Sequence, residues 1–349
     1  MSNRKFSYQD AGVNIEVGNE IVDNIKKKAK KTFSDCVLND IGSFASLIDL
    51  KKLTENYQHP ILVQSIDGVG TKTIIASKMH CFDTLGYDLL SATCNDILVM
   101  GAKPITLLDY VASNKLNVAA VDAIISGLAN ACCENGVALV GGETAEMPDI
   151  YVNGEYDLVG IVTGIVEKKD IIDGSAIECG DIVLGLTSSG LHTNGYSLAR
   201  KLFFDIAKFD VDSKLPELKQ TLGKELLAPH INYTKPILNL LKNGVKINGM
   251  AHITGGGLIE NVPRILPSNC SVLIDRTSWQ RPSIFNLMQK IGNLDNFQLH
   301  QTFNMGIGFV LVANKKYVND IQMHLSQYNN FKTHIIGKVL LGDRKVEFE

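Results

Sequence analysis

Short apolar runs alternate along the chain with stretches of helical periodicity, a pattern that predicts strands and helices packed in layers. Runs rich in β-branched residues predict strands at 61–66, 105–110, 137–140, 158–166, 182–187, 271–274, 308–313 and 333–340. Apolar residues at helical spacing predict helices at 85–100, 119–135, 195–206 and 315–327. Gly136 is suited to end the second helix, because glycine readily adopts the left-handed conformation at helix ends. The expected fold class is α/β or α+β.

A polar stretch at 167–180 separates two apolar strands and is the best candidate for a domain boundary. The length of 349 residues agrees with two domains, at about 150 residues per domain. We therefore expect one domain at 1–168 and a second at 169–349.

The composition is that of an ordinary globular protein, with 45% hydrophobic and 20% charged residues. The formal net charge of −3 provides no basic field for nucleic acid or an anionic membrane, so neither is expected as a partner. Lys26–Lys31 is a basic run, but Ile21, Ile25 and Ala29 mark an opposite apolar face. The run is therefore interpreted as the solvated face of a helix.

Cysteine usage and the N-terminal sequence favour the cytoplasm. The seven cysteines are an odd number without a C-x-x-C pair, and they are interpreted as buried thiols in a reducing compartment. Residues 1–12 are polar and contain no apolar stretch of the signal-peptide type.

Two glycine-containing segments follow predicted strands in the first half. In Asp67-Gly68-Val69-Gly70-Thr71-Lys72, the glycines would let backbone N–H groups approach an anion, Asp67 could hold a cation and Lys72 a phosphate. A tight turn would explain the glycines but not the Asp and Lys together. The segment is not a Walker A motif, because Thr71 stands where that motif needs glycine.

The second segment, Gly141-Gly142-Glu143-Thr144, is interpreted as a loop after the strand at 137–140. Ligands of α/β sheets gather at the carboxyl ends of strands, so both segments could face one site. Asn95 and Asp96 interrupt an apolar helix, where Asp96 could face solvent or bind a metal. Asp67, Asp96 and Glu143 would together provide the oxygen ligands that Mg²⁺ prefers.

The second half contains two further candidate anion sites. Residues 188–197 form a strand-to-helix loop dense in hydrogen-bond donors, although Thr193 or Asn194 could also serve simply as a helix N-cap. The other site is the loop at 252–257, where three consecutive glycines predict a close approach of the backbone to another group. His192 and His252, which lie in these loops, could be functional or could be structural histidines.

At these motifs the sequence closely resembles the phosphoribosylformylglycinamidine cyclo-ligase family, also called aminoimidazole ribonucleotide synthetases. Matching segments follow the family's order along nearly the whole chain, at 7–13, 67–72, 95–96, 141–148, 188–198, 252–257 and 303–308. The departures are mild: Gln9 replaces a common Lys, Leu191 a common Pro, and Thr193 a Ser.

The resemblance implies an ATP-dependent ligase of purine biosynthesis that forms a carbon–nitrogen bond. ATP would phosphorylate the amide oxygen of formylglycinamidine ribonucleotide, and the amidine nitrogen would then attack the activated carbon. Ring closure would release aminoimidazole ribonucleotide, ADP and phosphate. Catalysis of this kind depends on positioning and on neutralising phosphate charge.

The resemblance also implies an architecture. The N-terminal domain would pair with a second copy as a dimeric β-barrel flanked by helices, giving a homodimer. The C-terminal domain would be an α/β sandwich-like domain. ATP and substrate would bind in a groove bordered by both domains.

Site residues follow by matching this sequence to the family motifs. Asp67, Asp96 and Glu143 are expected to bind Mg²⁺, and Lys72, His192 and His252 to act in catalysis. Nucleotide contacts in the first half are expected from Lys26, Asp67, Gly68, Gly70, Thr71, Lys72, Asn95, Gly141, Gly142 and Thr144. Phosphate contacts in the second half are expected from Ser188, Ser189, Gly190, Asn194, Thr254, Gly255, Gly256 and Gly257.

Alternatives come from relatives of the same architecture and from another class of protein. Thiamine-monophosphate kinase, selenophosphate synthetase and the formylglycinamide ribonucleotide amidotransferase are the related alternatives. The amidotransferase is usually far longer, and selenophosphate synthetase carries a reactive Cys or selenocysteine near its N-terminus. A non-catalytic nucleotide-binding regulator would be expected to lose the carboxylates or Lys72, all of which are present.

Overall fold

The computed structural model describes residues 15–349, which form two compact units. The first contains the described residues up to 58 together with 64–93 and 104–163, and the second contains 59–63, 94–103 and 164–349. Two short segments, 59–63 and 94–103, thus belong to the second unit, whereas the sequence predicted a single boundary. Each segment accepts a backbone hydrogen bond from a later part of this unit, His59 O from Lys168 N and Met100 O from Ile172 N. The predicted motif at 7–13 lies outside the described residues.

The first unit is built around a four-stranded sheet. Its strands are β1 (Pro60–Gly68), β2 (Lys103–Ser113), β3 (Ala138–Glu146) and β4 (Tyr156–Glu167), in the order β1-β4-β2-β3. The helices of this part of the chain are α1 (Ile15–Ala29), α2 (Leu50–Leu53), α3 (Lys72–Met79), α4 (Asp83–Leu98) and α5 (Val118–Asn135). Asn117 caps α5 by accepting a hydrogen bond from Ala120 N, and Gly136 ends it with φ 66°, as predicted.

The second unit contains a six-stranded mixed sheet in the order β10-β7-β9-β5-β8-β6. The strands are β5 (Ile182–Thr187), β6 (Gly249–His252), β7 (Cys270–Ile274), β8 (Ile307–Ala313), β9 (Thr333–Leu341) and β10 (Val346–Phe348). Its helices are α6 (Tyr196–Arg200), α7 (Leu222–Leu226), α8 (Thr234–Lys242), α9 (Gly257–Asn261), α10 (Ser283–Gly292), α11 (Asn296–Thr302) and α12 (Val318–Leu325). A π-helical turn, Lys201–Ile206, continues α6, so the helix predicted at 195–206 is divided.

Alternation along the central strands gives this second sheet a core on each face. Leu184 on β5 packs with Leu311 on β8 and with Ile237 and Leu240 of α8. The neighbouring Val183 joins a separate cluster on the other face. Successive strand side chains point to opposite faces, so helices cover both sides of a continuous apolar sheet. The expected mixed α/β fold in two parts is confirmed.

Cysteine exposure differs in part from the prediction. Cys94, Cys132 and Cys270 are buried, whereas Cys133 and Cys179 are exposed, so not all the thiols are core residues. A separate observation concerns membranes: within residues 15–349, no helix has both the length and the apolar character to cross a bilayer.

Candidate functional site

The turn from β1 to α3 contains the first glycine motif. Gly68 N donates a hydrogen bond of 2.7 Å to Asp67 Oδ1, and Gly70 has φ 63°. A Cβ atom at Gly68 would lie 2.9 Å from the carbonyl oxygen of Leu158. Backbone conformation and close packing therefore account for both glycines without a ligand.

Lys72, at the start of α3, is fully buried and its ammonium lies 2.9 Å from the Asp88 carboxylate. Desolvation lowers the pKa of Lys72, while the charge and hydrogen bond of Asp88 oppose this effect. Withdrawing Lys72 would leave a buried carboxylate without its cation, which costs several kcal/mol. The prediction that Lys72 contacts ATP phosphate or acts in catalysis is therefore not met by this arrangement.

Gly141–Thr144 is part of a strand, and its prediction as a loop was wrong. Strand β3 runs on to Glu146 because it pairs in parallel with β2, with Asp109 opposite Gly142 and Tyr110 opposite Glu143. A Cβ atom at Gly142 would lie 2.3 Å from Asp109 Oδ1. Glycine is needed at this position because the Asp109 side chain occupies the space.

Asp109 is a buried acid that the sequence interpretation missed. Burial raises the pKa of Asp109 to about 7, opposed only by a hydrogen bond to its own backbone. A usable signal was present, because Asp109 is the only charged residue in the apolar run at 105–110. In a strand that is otherwise apolar, a carboxyl group is a candidate for a special role.

A cavity of about 780 Å³ brings several predicted residues together. Asp109 lines it, with Asp40, Gly141, Gly142, Glu143 and Thr144 among the other lining residues. Lys26, at the end of α1, stands beside it, since a Cβ atom at the lining residue Gly42 would lie 2.8 Å from Lys26 Cε. Lys26 also lies 3.7 Å from Asp23.

Two of the three predicted metal ligands, Asp67 and Glu143, lie on strands that are not neighbours in the first sheet. β1 and β3, which carry Asp67 and Glu143, are the two edge strands of the sheet, three strand spacings apart, or about 14 Å. Across residues 15–349, no three His, Cys, Asp or Glu side chains are arranged to hold one metal ion. Asp96 instead places Oδ1 2.8 Å from Nδ1 of His252. Within the first unit, Asp67 and Glu143 are therefore not arranged to hold one metal ion together, and the assignment of Asp96 stays a prediction.

In the second unit, the loop at 188–194 follows β5 and is held by its own polar groups. Ser188 Oγ donates to Gly190 O at 2.9 Å, and Asn304 Nδ2 donates to the same carbonyl at 2.9 Å. Gly195, with φ 80°, occupies the N-cap of α6 without a side-chain cap. Neither Thr193 nor Asn194 therefore serves as the N-cap, which removes the simpler interpretation of those two residues.

The glycine triplet after β6 is explained largely by packing. A Cβ atom at Gly257, where φ is +55°, would lie 2.0 Å from the carbonyl oxygen of His300. Asn261 Nδ2 donates to the carbonyl oxygens of Gly255 at 3.1 Å and Gly257 at 2.9 Å. The predicted close approach exists, but its partner is the chain itself. Gly255 also lies beside Asn194, whose Oδ1 would be 3.5 Å from a Cβ atom there, so the two loops adjoin.

Three buried histidines lie together beside these loops. The rings of His192 and His230 are stacked, with centroids 4.0 Å apart and planes 21° apart. Nε2 of His230 lies 3.1 Å from Nε2 of His252. A Cβ atom at Gly308 would lie 2.4 Å from the His192 ring, so glycine on β8 makes room for it. His192 and His252 were predicted as site residues, whereas His230 was not.

Asn95 is fully buried, and its amide is used to bind backbone. Its Oδ1 accepts from Tyr233 N at 3.0 Å, and its Nδ2 donates to Ile231 O at 2.9 Å. The prediction that Asn95 binds nucleotide is therefore not met here. The neighbouring Asp96 has a side chain that is 32% exposed, which agrees with neither a fully solvated nor a fully buried carboxylate.

Two family models match the chain. The model of the AIR synthase related protein N-terminal domain matches residues 52–166, and that of the C-terminal domain matches residues 178–348. Among curated relatives, phosphoribosylformylglycinamidine cyclo-ligase from Syntrophotalea carbinolica is 48% identical over 336 residues, covering 96% of this chain and 95% of the relative. The protein of that name from Geotalea daltonii is 47% identical, covering 99% of both chains.

Solved structures share the fold at low identity. Thiamine-monophosphate kinase from Stenotrophomonas maltophilia matches with a TM-score of 0.68 and 17% identity, covering 94% of this chain and 95% of the kinase. The hydrogenase maturation protein HypE in complex with ATP matches with a TM-score of 0.67 and 16% identity, covering 95% of this chain and 91% of HypE. At such identities the likeness concerns the fold alone.

Proposed function

We propose that the chain, which belongs to the phosphoribosylformylglycinamidine cyclo-ligase family, closes the ring of formylglycinamidine ribonucleotide in an ATP-dependent reaction. Members of this family are ligases of purine biosynthesis, and the chain is accordingly an enzyme. The observation that carries the proposal is 47–48% identity to named cyclo-ligases over nearly the whole length of both proteins.

The proposed reaction has two steps. The amide oxygen of the substrate attacks the γ-phosphorus of ATP, which releases ADP and leaves a phosphorylated oxygen on the amide carbon. The amidine nitrogen then attacks that carbon, and the phosphorylated oxygen departs as inorganic phosphate while the nitrogen loses a proton. Holding both ends of one substrate molecule supplies the proximity that ring closure requires.

The second unit supplies the proposed phosphate contacts. The loops at 188–194 and 254–257 adjoin at Asn194 and Gly255, so one anionic group could contact both. His192 is part of the first loop and His252 precedes the second, and we assign both to stabilising charge on the phosphorylated oxygen. Lys72 has no role in this scheme, because its ammonium is paired with Asp88.

The first unit supplies the proposed nucleotide cavity. Its volume of about 780 Å³ lies within the range of small-molecule pockets. The acidic residues Asp40, Asp109 and Glu143 line it, so a polyphosphate would need accompanying cations to bind there. Mg²⁺ enters the proposal as the cation that accompanies ATP in phosphoryl transfer, and no step is assigned to a metal held by protein carboxylates.

A homodimer is also proposed, through an uncovered face of the first sheet. Ile66 on β1, Leu108 on β2 and Ile161 on β4 are 64%, 38% and 39% exposed. Leu108 and Ile161 also line the proposed nucleotide cavity, so a second copy bound to this face would border that cavity. Apolar side chains on three strands of one sheet favour a partner surface, and a second copy matches the family expectation. Light scattering should show a dimer for the wild-type chain and a weakened dimer for Ile66→Lys. A wild-type monomer with full activity would refute the proposed dimer.

The cytoplasmic location stays a prediction.

The activity is tested by following both products of ATP with the purified enzyme. ADP and inorganic phosphate should appear in equal amounts, and only when formylglycinamidine ribonucleotide is present. The dephosphorylated nucleoside should react far more slowly, because the remote phosphate helps to hold the flexible substrate in a reactive pose. Formation of AMP, or transfer of phosphate to thiamine phosphate, would instead assign the chain to a sister family.

A further inference from the structure

His230 lies in the connection before α8 and contacts groups from three other parts of the second unit. Its Nε2 lies 3.1 Å from His252 Nε2 at the end of β6 and 3.3 Å from Asn95 Nδ2 on α4. Its Nδ1 lies 3.3 Å from Thr193 Oγ1 in the loop after β5. The residue is only 3% exposed, so water does not substitute for these contacts. His230 is therefore the junction of a buried polar cluster.

The surrounding backbone fixes which nitrogen of His230 carries the proton. Asn95 Oδ1 accepts from Tyr233 N and Nδ2 donates to Ile231 O, so the amide cannot be reversed without losing both hydrogen bonds. An N–H group of Asn95 then points to His230 Nε2 at 3.3 Å, which favours the tautomer with this nitrogen unprotonated. That tautomer carries the ring proton on Nδ1, 3.3 Å from Thr193 Oγ1.

This tautomer in turn sets the contact with His252. With His230 Nε2 as the acceptor, the 3.1 Å contact is a hydrogen bond only when His252 Nε2 is the donor. Since His252 Nδ1 also faces Asp96 Oδ1 at 2.8 Å, this arrangement places a proton on both ring nitrogens of His252. The ring of His192 stacks on the ring of His230, with the two centroids 4.0 Å apart. One side chain thus contacts both His192, which is part of the loop at 188–194, and His252, which precedes the loop at 254–257.

We propose that His230 is a positioning residue for the reaction, which fixes the ring of His252 by hydrogen bonding and the ring of His192 by stacking. The expected change in kcat rests on the proposed function, whereas the tautomer assignment is independent of it. Two substitutions separate the contributions. His230→Phe keeps a ring for stacking and removes both nitrogens, whereas His230→Gln removes the ring and restores an oxygen that can accept.

The tautomer is tested by ¹⁵N NMR of the wild-type protein, in which all eight histidines are ¹⁵N-labelled. The His230 signals, identified by their loss in His230→Phe, should show a protonated Nδ1 and an unprotonated Nε2. The His252 ring signals should also shift in that variant, since their acceptor is gone. A protonated Nε2 in His230 would overturn the assignment whether or not the enzyme has the proposed activity.

The kinetic consequence is tested by steady-state ADP release with formylglycinamidine ribonucleotide. His230→Phe should lower kcat at least about tenfold while the KM values change less than about threefold, since the group acts on the chemical step. His230→Gln should recover part of kcat. His324→Phe, a change on α12 outside the cluster, is the control and should retain wild-type kinetics. A His230→Phe kcat within twofold of wild type would refute the positioning role, whereas an inactive wild-type enzyme would refute the proposed function instead.

Discussion

Replacing Asp109 by asparagine should stabilise the first unit, by an amount that grows as the pH rises from about 4 to about 7. Burial raises the pKa of Asp109 from 3.8 to about 7. The folded chain therefore holds this proton more tightly than the unfolded chain, and stability falls through this pH window as the buried group ionises. Asparagine has nearly the shape of the protonated acid but carries no charge to desolvate.

The expected gain follows from the difference between the folded and unfolded pKa values. One pH unit of difference corresponds to about 1.4 kcal/mol, so a pKa of about 7 in place of 3.8 gives at most about 4 kcal/mol above neutral pH. At about 2–4 °C per kcal/mol, that limit corresponds to a rise in Tm of roughly 10 °C. Below pH 4 the two proteins should differ little.

Differential scanning calorimetry between pH 4 and pH 8, at one fixed protein concentration, measures this gain directly. Asp212→Asn is the matched control, because Asp212 is exposed and its substitution removes a charge without changing a buried site. A gain for Asp109→Asn that does not change with pH would refute the reasoning, since only ionisation of a buried carboxyl predicts the slope.

Three further predictions test other parts of the structure. Lys72→Met should destabilise the fold by about 3–5 kcal/mol in thermal or denaturant unfolding by leaving Asp88 buried without its cation. The double variant with Asp88→Leu should recover most of this, and a mild single variant would contradict the buried pair. Gly257→Ala should lower Tm more than Gly244→Ala, because both have positive φ but only Gly257 has a carbonyl oxygen 2.0 Å from the added Cβ. EDTA in excess should abolish ADP release, because ATP enters the proposed reaction with its accompanying Mg²⁺, and ADP release that persists in EDTA would remove Mg²⁺ from the proposal.

Sequence periodicity predicted the strands better than it predicted their ends. The strand predicted at 182–187 is β5 without change, because its apolar residues are buried on both faces. The strand predicted at 137–140 ended too early, since Gly141 and Gly142 suggested a loop, whereas β3 continues to Glu146. Pairing with β2 extends the strand through those glycines, and such pairing depends on residues about 30 positions away that local propensity does not describe.

The site was predicted by residue type but not by partner. His192 and His252, each predicted separately as a site residue, both contact His230, the first from the loop after β5 and the second from the end of β6. Lys72 and Asn95, which the same reasoning assigned to ligands, are committed to Asp88 and to backbone groups. A polar residue in a glycine-rich motif looks the same in sequence whether it binds a ligand or another part of the chain. Only the burial and the hydrogen-bond partners separate the two cases.

The strand order of the second sheet has a consequence for how the chain is made. β5, β6 and β7 are synthesised first, yet none of them is a neighbour of another in the order β10-β7-β9-β5-β8-β6. Each pairs with β8 or β9, which come later in the chain. During translation, three apolar strands therefore leave the ribosome with no sheet to join, and the unit closes only when β8 and β9 arrive between them. Until then the nascent chain exposes the surfaces that chaperones recognise, which makes translation through β9 the step that commits this half of the enzyme to its fold.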